Sequence, residues 1–523
     1  MKQTYLFFVF LFFATSLSAQ FTQYVNVVID QEGGPEEPSI MLDPKQPQRM
    51  VAGSNIDNYY YSEDGGYTWT KGTLVSPEYG VWGDPCIIVD TAGTFYFFHL
   101  ANPPMGSWID RIVAQKFDFE THSWTDGTYM GLNGTKAQDK EWAIVDKETN
   151  TVYVTWTQFD HYGSSNANDS SNIMFSKSVD GGETWTPAKR INQTAGDCED
   201  SDNTVEGAVP AVGPNGELFV AWAGPLGIMF DRSLDGGETW LDNDIFVSDQ
   251  PGGWDFNIPG IWRCNGLPVT CCDISNSSHR GTIYVNWTDQ RNGTDDTDVW
   301  LAKSTDGGNT WSQPIRVNND PAGKQQFFSW MTVDQANGDV YVVFYDRRAY
   351  NDRNTDVYLA RSVDGGETFE NIKISESPFV PSSNIFFGDY TNVAAYDGYV
   401  RPIWARLNNG QLSLLTAIVD ISVGMNEQVR HNKEPFTIQA SYPNPFNETV
   451  NIAFKLNQLA TVTLTVNDVT GKEVAVLIDH QKRKRGKYVE RLNVSEYDMP
   501  SGFYYFVLRT DGFVKTQKIL LSK

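Results

Sequence analysis

Short apolar and aromatic runs alternate with polar, turn-rich stretches along most of this chain. TFYFFHLA from Thr94, TVYVTWTQ from Thr151, ELFVAWAG from Glu217, TIYVNWTD from Thr282, DVYVVFYD from Asp339 and YVRPIWAR from Tyr399 share one pattern, and RMVAGSNI from Arg49 is a weaker member. Runs of this length, rich in β-branched and aromatic residues and bounded by turn residues, predict strands. A shorter strand precedes each and often opens on an acid, as in EPSIML, DPCIIVD, KEWAIVD, EGAVPAV, SWMTVD and DYTNVAA. The fifth unit opens differently, near IPGIWRCNGLPVT. Long helical periodicity is absent, so the fold class is all-β.

A second pattern marks where each unit turns. YSEDGGYTWT from Tyr61 recurs as SKSVDGGETWT from Ser176, RSLDGGETWL from Arg232, KSTDGGNTWS from Lys303 and RSVDGGETFE from Arg361. The central aspartates are Asp64, Asp180, Asp235, Asp306 and Asp364, a spacing typical of repeat architectures. The first gap is about twice the others, and VAQKFDFETHSW around Asp118 fits it as a copy that has lost its glycines. The pattern counts seven units of four strands, the last completed by QYVNVVID at 23–30. No unit can bury both faces alone. Arranged radially they form a seven-bladed β-propeller, with six blades as the alternative count.

Each residue of the repeated turn has a physical use. The Asp carboxylate can accept backbone N–H groups across a tight hairpin, glycine can take the positive φ that the hairpin needs, and the Trp can pack between sheets. The motif resembles the Asp-box of the sialidase-like propeller superfamily, Ser-x-Asp-x-Gly-x-Thr-Trp. That resemblance implies turns on the face opposite the substrate, so the five copies are expected to be structural pins rather than calcium or catalytic sites. Sialidases open their first blade with Phe/Tyr-Arg-Ile-Pro. Here EEPSIML stands at that place, with Pro38 retained and Glu37 replacing the arginine. Glu37 would repel a sialic-acid carboxylate, which implies a relative that acts on another glycan or only binds.

The repeats stop near residue 421, and a polar stretch at 422–435 reads as a linker. From 436 to 523, alternating strands predict a small Ig-like β-sandwich. The charge balance inverts there, with 12 Lys/Arg against 8 Asp/Glu, in a chain of net charge −25. YPNPFN at 442–447, VNDVTGKEV at 466–474, SGFYYFVL at 501–508 and KTQKILLSK at the end resemble the C-terminal sorting domain of type IX secretion cargo in Bacteroidetes. The resemblance implies export, with the secretion machinery as partner and release or anchoring at the cell surface. QKRKRGK at 481–487 reads as a solvated hairpin turn. Residues 1–19 have the charged start, short apolar run and small-residue cleavage site of a secretory signal peptide. The apolar run is too short for a membrane span.

The acidic balance argues against nucleic acid and anionic membrane as partners. The five cysteines do not have zinc-site spacing, and export permits a disulfide from Cys264 to Cys271 or Cys272. Cys86 is expected to be a buried small hydrophobe.

In a propeller, the starts of the inner strands and the second-to-third-strand loops gather at one end of the axis. The sequence places Glu37, Asp84, Asp139, Glu141, Glu206 and Asp389 at the strand starts, with Tyr390 following. It places Asp160, Asp289, Arg291, Asp346, Arg348 and Arg406 at the loops, while Arg263 and Asn265 open the fifth unit. Carboxyls beside guanidiniums suit glycoside chemistry on an extracellular polysaccharide or glycoconjugate, in which one acid protonates the leaving oxygen and another group attacks or activates water. Asp389, Tyr390, Glu206, Asp139, Glu141 and Asp84 are therefore the catalytic candidates. Glu37, Arg263, Asn265, Asp289, Arg291, Asp346, Arg348 and Arg406 are candidates for binding substrate, and Arg263, Arg348 and Arg406 could form an arginine triad. The Asp/Arg pairs could equally be inter-blade salt bridges. No cofactor is expected, although the acid ring could hold a structural cation in the channel.

Overall fold

The computed structural model describes residues 24–408, 410–421, 436–438, 441–456, 459–469, 471–497, 499–510 and 513–523. The expected signal peptide and linker lie outside the described residues. The chain is all-β, with one short 3-10 turn at Val494–Glu496 among the described residues.

Residues 24–420 form seven antiparallel sheets, each with four strands in line. Their inner strands are Ser39–Asp43, Cys86–Val89, Ala137–Val145, Glu206–Val212, Val269–Cys272, Gln326–Val333 and Asn392–Tyr396, and we number the sheets 1 to 7 in that order. Each inner strand packs against the next, and that of sheet 7 packs against that of sheet 1, so the sheets close into a ring. Tyr24–Asp30 is the outer strand of sheet 7 and pairs antiparallel with Gln411–Asp420, Tyr24 opposite Val419. The start of the chain thus locks its far end. A separate two-stranded ribbon, Asp255–Phe256 with Cys264–Asn265, precedes sheet 5 and accounts for the irregular opening of that unit. In sheet 2, the degenerate copy adds Ser123–Trp124 against the third strand.

The second strands are apolar on both faces because each sheet is covered by a neighbour on either side. Phe95–Leu100 and Val152–Phe159 are buried along their whole lengths. At the sixth place of the repeated run, Trp156, Trp222, Trp287 and Trp404 are fully buried. His99 takes that place in sheet 2, bonded to the Leu100 carbonyl and to Gln115 Oε1. Burial pushes its imidazole down to about 4, so it packs as a neutral ring.

Every DGG turn uses one wiring. In the Asp180 copy, the Thr184 amide donates to Oδ1 at 3.0 Å and the Thr184 hydroxyl to Oδ2 at 2.5 Å, while the Gly182 amide donates to Ser178 Oγ at 2.8 Å. The other four copies repeat these bonds. The carboxylates are satisfied by their own turns. The second glycine, at φ near +87° in the copies of sheets 4 and 5, sits against a ring of the preceding sheet. A Cβ on Gly237 would lie 2.3 Å from Phe175, and one on Gly308 2.3 Å from Phe230. The first glycine's carbonyl accepts from a cation of the preceding sheet: Lys177 to Gly236 at 2.7 Å, Lys303 to Gly365 at 2.8 Å, and Arg232 to Gly307. Buried Arg401 of sheet 7 donates to Gly65 of sheet 1 at 2.8 Å and so clips the ring shut.

The C-terminal module has a three-stranded sheet (Phe436–Ile438, Thr449–Leu456, Gly486–Asn493) and a four-stranded sheet (Glu473–Arg483, Ala460–Asp468, Gly502–Thr510, Phe513–Leu521). One apolar core joins them, containing Ile452, Phe454, Leu464, Phe506 and Ile519. Two expectations are corrected. The basic run at 481–487 is not a hairpin turn, because Glu473–Arg483 and Gly486–Asn493 belong to different sheets, and the run crosses between them. All five cysteines are free. Cys264 packs with Phe327 and Trp404, Cys272 with Trp287, and Cys271 against the core of sheets 5 and 6, so neither proposed pairing with Cys264 forms.

Replacing Gly308 with Ala combines a left-handed backbone with a ring collision and is expected to destabilise by about 2–4 kcal/mol. The same change at Gly134, with φ +64° and nothing within 4 Å, carries only the backbone strain. It should cost about 1 kcal/mol. Urea denaturation of the two variants measures the difference.

Candidate functional site

The sheets enter the axis through strained backbone. Glu37, Asp84, Lys140 and Phe328 have φ of 51, 54, 52 and 52°, and Gly207 and Gly388 have φ of 77 and 88°. Each lies shortly before an inner strand or within its first four residues. In sheets 3, 4 and 6 this residue sits in a register shift, between Asp139 and Trp142, Glu206 and Val209, and Phe327 and Trp330. Bulges of this kind re-aim side chains, here at the mouth of the ring. Four non-glycine residues in this conformation cost about 1–3 kcal/mol each and persist only where the surroundings over-determine them.

The side chains gathered there form one network. Lys140 Nζ lies 2.8 Å from Asp389 Oδ2, 3.4 Å from Asp84 Oδ2 and 4.0 Å from Glu37 Oε1. Arg263 grips Asp389 from the other side, Nε to Oδ1 at 2.9 Å and Nη2 to Oδ2, and reaches Asp200 at 3.3 Å. Asn265 donates to the Asp389 carbonyl at 3.0 Å. Asn55 donates to Glu37 Oε2 and accepts from the Asp84 amide at 2.8 Å. Asp139, Glu141 and Glu206 complete the cluster, all buried. Two cations therefore face eight acids: Glu36, Glu37, Asp84, Asp139, Glu141, Asp200, Glu206 and Asp389.

That imbalance divides the carboxyls into two protonation classes. Burial alone would raise Asp389, but Lys140 and Arg263 carry it well below the usual carboxylate range. Asp84 is likewise lowered, burial being outweighed by Lys140 and by hydrogen bonds from Glu37 and Asp139. Burial, and then the neighbouring carboxylates, push Glu37, Asp139, Glu141 and Glu206 well above their ordinary values, and Glu36 to about 8. Both oxygens of Glu141, one each of Glu36, Glu37 and Glu206, and the Tyr390 hydroxyl have no hydrogen-bond partner.

Below the network, Trp142, Trp330 and Tyr390 form an aromatic floor, with ring centroids 4.3–6.0 Å apart. The cavity there, lined also by Lys140, Asn265 and Asp389, is about 20 Å³, room for one water. Above it, an aromatic row crosses the same end of the ring. Trp82 meets Trp108 edge-on at 6.1 Å, and Trp108 meets Tyr162 at 5.5 Å. The Tyr162 hydroxyl donates to Asp200 at 2.6 Å. On the far side of Arg263, whose guanidinium lies 5.2 Å over Phe386, Phe386 meets Trp262 at 5.8 Å. Trp82, Trp108 and Trp262 are 39, 44 and 64 % exposed.

Nine of the candidates named from sequence thus come together: Glu37, Asp84, Asp139, Glu141, Glu206, Asp389, Tyr390, Arg263 and Asn265. The others lie apart from the cluster. Asp289 binds Arg291, which stacks over Trp300, and Asp346 binds Arg348, which stacks over Tyr358. Asp160 is paired with Lys136 at 2.6 Å. Arg406 lines a separate pocket, and the triad of Arg263, Arg348 and Arg406 is not assembled, because each is held in its own surroundings. Sequence reasoning missed Lys140, Asp200, Glu36 and the aromatic row. The Lys in DKEW was the available signal, a cation enclosed between two predicted site acids. Among the described residues, no three His, Cys, Asp or Glu side chains are arranged to hold a metal ion.

Comparison with known proteins matches two segments of the chain. Residues 440–522 match the secretion system C-terminal sorting domain. Residues 60–71 match the BNR/Asp-box repeat. The sorting domain marks the chain for type IX export to the cell surface or the medium, and no helix among the described residues is long and apolar enough to cross a membrane. No curated protein matches. Among solved structures, the NanB sialidase from Streptococcus pneumoniae is similar at 9% identity and a TM-score of 0.42, over 72% of this chain and 83% of that one. A polysaccharide lyase of family PL25, an ulvan lyase, is similar at 12% and 0.44, over 75% and 95%. An alpha-L-arabinanase from Penicillium chrysogenum is similar at 12% and 0.40, over 76% and 99%. Likenesses this distant carry no argument about activity.

Glu36 binds its proton more tightly in the fold, so its contribution is complete below its ordinary value of 4.5 and is lost as pH rises through about 8. Unfolding free energy should therefore fall across that window, by up to about 1.4 kcal/mol per pH unit for such a group. Glu36→Gln should flatten the curve in urea titrations at stepped pH. Removing Lys140, as in Lys140→Met, leaves buried carboxylates uncompensated and should cost about 3–5 kcal/mol.

Proposed function

We propose that this chain is an exported, seven-bladed Asp-box β-propeller, residues 20–421, joined by a linker at 422–435 to an Ig-like sorting sandwich at 436–523. We read the axial end as the surface that engages extracellular polysaccharide or glycoconjugate, with glycoside hydrolase-like chemistry. One observation carries this reading: buried carboxyls, some clamped by Lys140 and Arg263 and others with unpartnered oxygens, lie together beneath an exposed aromatic row. Separated protonation states are what an acid–base pair requires. Glu206 and Glu141 hold protons and have unpartnered oxygens, so they are the groups to protonate a leaving oxygen. Asp389 and Asp84 stay ionised and are suited to stabilise positive charge at the sugar or to activate water. Arg263, Asn265 and Tyr390 orient the acids and the ligand. Exposed Trp rings offer flat apolar faces to the C–H faces of sugars. Lys140 and Arg263 are already paired with carboxylates, so neither is free at the axis for a sialic-acid carboxylate.

A second reading, a glycan- or protein-binding propeller without turnover, is favoured by the size of the axial cavity, which admits a water and no sugar. A reducing-end assay of the full chain against a polysaccharide panel separates the two. Hydrolysis lost by more than about a hundredfold in Asp389→Asn and Glu206→Gln, with both variants folded, supports the enzyme. Binding that Trp108→Ala weakens, without turnover, supports the second reading. Neither binding nor turnover on any glycan defeats both.

A further inference from the structure

On the same end of the ring but off the axis lies a pocket of about 500 Å³, between the second-to-third-strand loops of sheets 6 and 7 and the segment that joins those sheets. Its polar lining is Arg353, Asn354, Ser377, Ser382, Arg406 and Asn408, and its apolar lining includes Phe379 and Leu407. Among the described residues no carboxylate lines it, in a chain of net charge −25. Arg406 Nε is buried without a hydrogen-bond partner, and so is Nη2 of Arg347 just behind. Arg347 is anchored through Nε to Thr355 and through Nη1 to the Pro259 carbonyl, so its position is fixed. Glu376, next to the lining, and exposed Asp352 are the acids that face these guanidiniums.

We propose that this pocket is an oxyanion subsite, which takes the carboxylate or sulfate of an acidic sugar unit while the polymer runs along the aromatic row toward the axis. The inference rests on the glycan reading above and narrows it to acidic polysaccharides. A buried guanidinium nitrogen without an acceptor is a standing cost that a ligand oxyanion removes. The volume suits one sugar unit with its substituent. Asn354, Asn408, Ser377 and Ser382 supply neutral groups for ring hydroxyls. The geometry also ties the pocket to the row. A Cβ on Gly260 would lie 2.8 Å from Arg353 Cδ, and Ile385, in the pocket wall, directly precedes Phe386 of the row. At the axis Lys140 and Arg263 are already taken by carboxylates, whereas this pocket presents Arg353 and Arg406, so the acidic unit belongs off the axis.

Calorimetric titration of the full chain tests the proposal, with trigalacturonate as the carboxylate probe, a sulfated disaccharide as the sulfate probe and maltotriose as the neutral one. Trigalacturonate, the sulfated probe or both should bind. The ratio of acidic to neutral affinity should fall at least tenfold in Arg406→Gln and again in Arg353→Gln, each checked for an unchanged melting curve. Arg353 is exposed, so its variant remains informative if Arg406→Gln fails to fold. Whichever acidic probe responds identifies the substituent. Acidic probes that bind wild type and both variants alike, or that bind nowhere while maltotriose binds, overturn the subsite and leave the glycan reading intact. Failure of all three probes on wild type, together with the inactive polysaccharide panel described above, overturns the subsite along with the glycan reading.

Discussion

The contact on which the ring depends is small: a glycine of one sheet lying flat on an aromatic ring of the sheet before it. Gly237 on Phe175 and Gly308 on Phe230 leave no space for a methyl group. The adjoining glycine carbonyl is taken by a cation of that same preceding sheet. The aspartate contributes indirectly. By tying up the Thr amide and hydroxyl of its own turn, it holds two successive glycines in left-handed conformations that the chain would otherwise rarely visit. The turn is therefore satisfied internally, and its outward-facing atoms remain free to clamp a neighbour. Sheet 2, whose copy lost the glycines, compensates with aromatic mass: Phe117, Phe119 and Trp124 pack among Tyr59, Tyr61 and Phe97.

Rigidity at one end permits strain at the other. The left-handed entries at Glu37, Asp84, Lys140 and Phe328 would each relax in an isolated sheet. Closure of the ring, with Tyr24–Asp30 zipped onto the final sheet and Arg401 bridging to Gly65, over-determines them. The same closure presses eight acids around two cations, an arrangement that proton uptake makes tolerable. Buried charge of this kind is poor evidence for stability, since replacing it with apolar residues is often neutral or favourable.

Much of the fold was legible in the sequence because it is periodic. The repeated aromatic runs and the DGG turns gave the strands, their order and the closing role of residues 23–30, and each is a local signal repeated often enough to be counted. The nine gathered residues were legible for a topological reason: inner-strand starts must meet at the axis. What could not be read was partnership. Asp289 with Arg291 and Asp346 with Arg348 look in sequence like Arg263 and Asp389, yet the first two pairs close two residues apart within a loop, whereas Asp389 waits for a cation 126 residues away. Lys140 escaped notice because its role follows from a positive φ that no glycine announced. The aromatic row escaped because Trp82, Trp108 and Trp262 stand in connections without a shared motif. The disulfide expectation failed because closeness along the chain says nothing about which core a thiol enters.

The two electrostatic features of the open end are complementary rather than contradictory. A wholly acidic mouth would exclude acidic polymers, and a wholly basic one would hold them without regard to direction. Here Asp389 is held by Lys140 and Arg263 and burial pushes most of the neighbouring carboxyls upward, whereas the pocket presents the guanidiniums of Arg353 and Arg406. On the proposed reading, a polymer that bears an anion on some units and neutral sugars between them would match that alternation, with the charged unit off the axis and a neutral unit over Glu206 and Asp389. On that reading, the row from Trp82 to Trp262 would supply a sequence-tolerant contact along which such a chain reaches the pocket. On the proposed reading, substrate selection would then be set some distance from the acids.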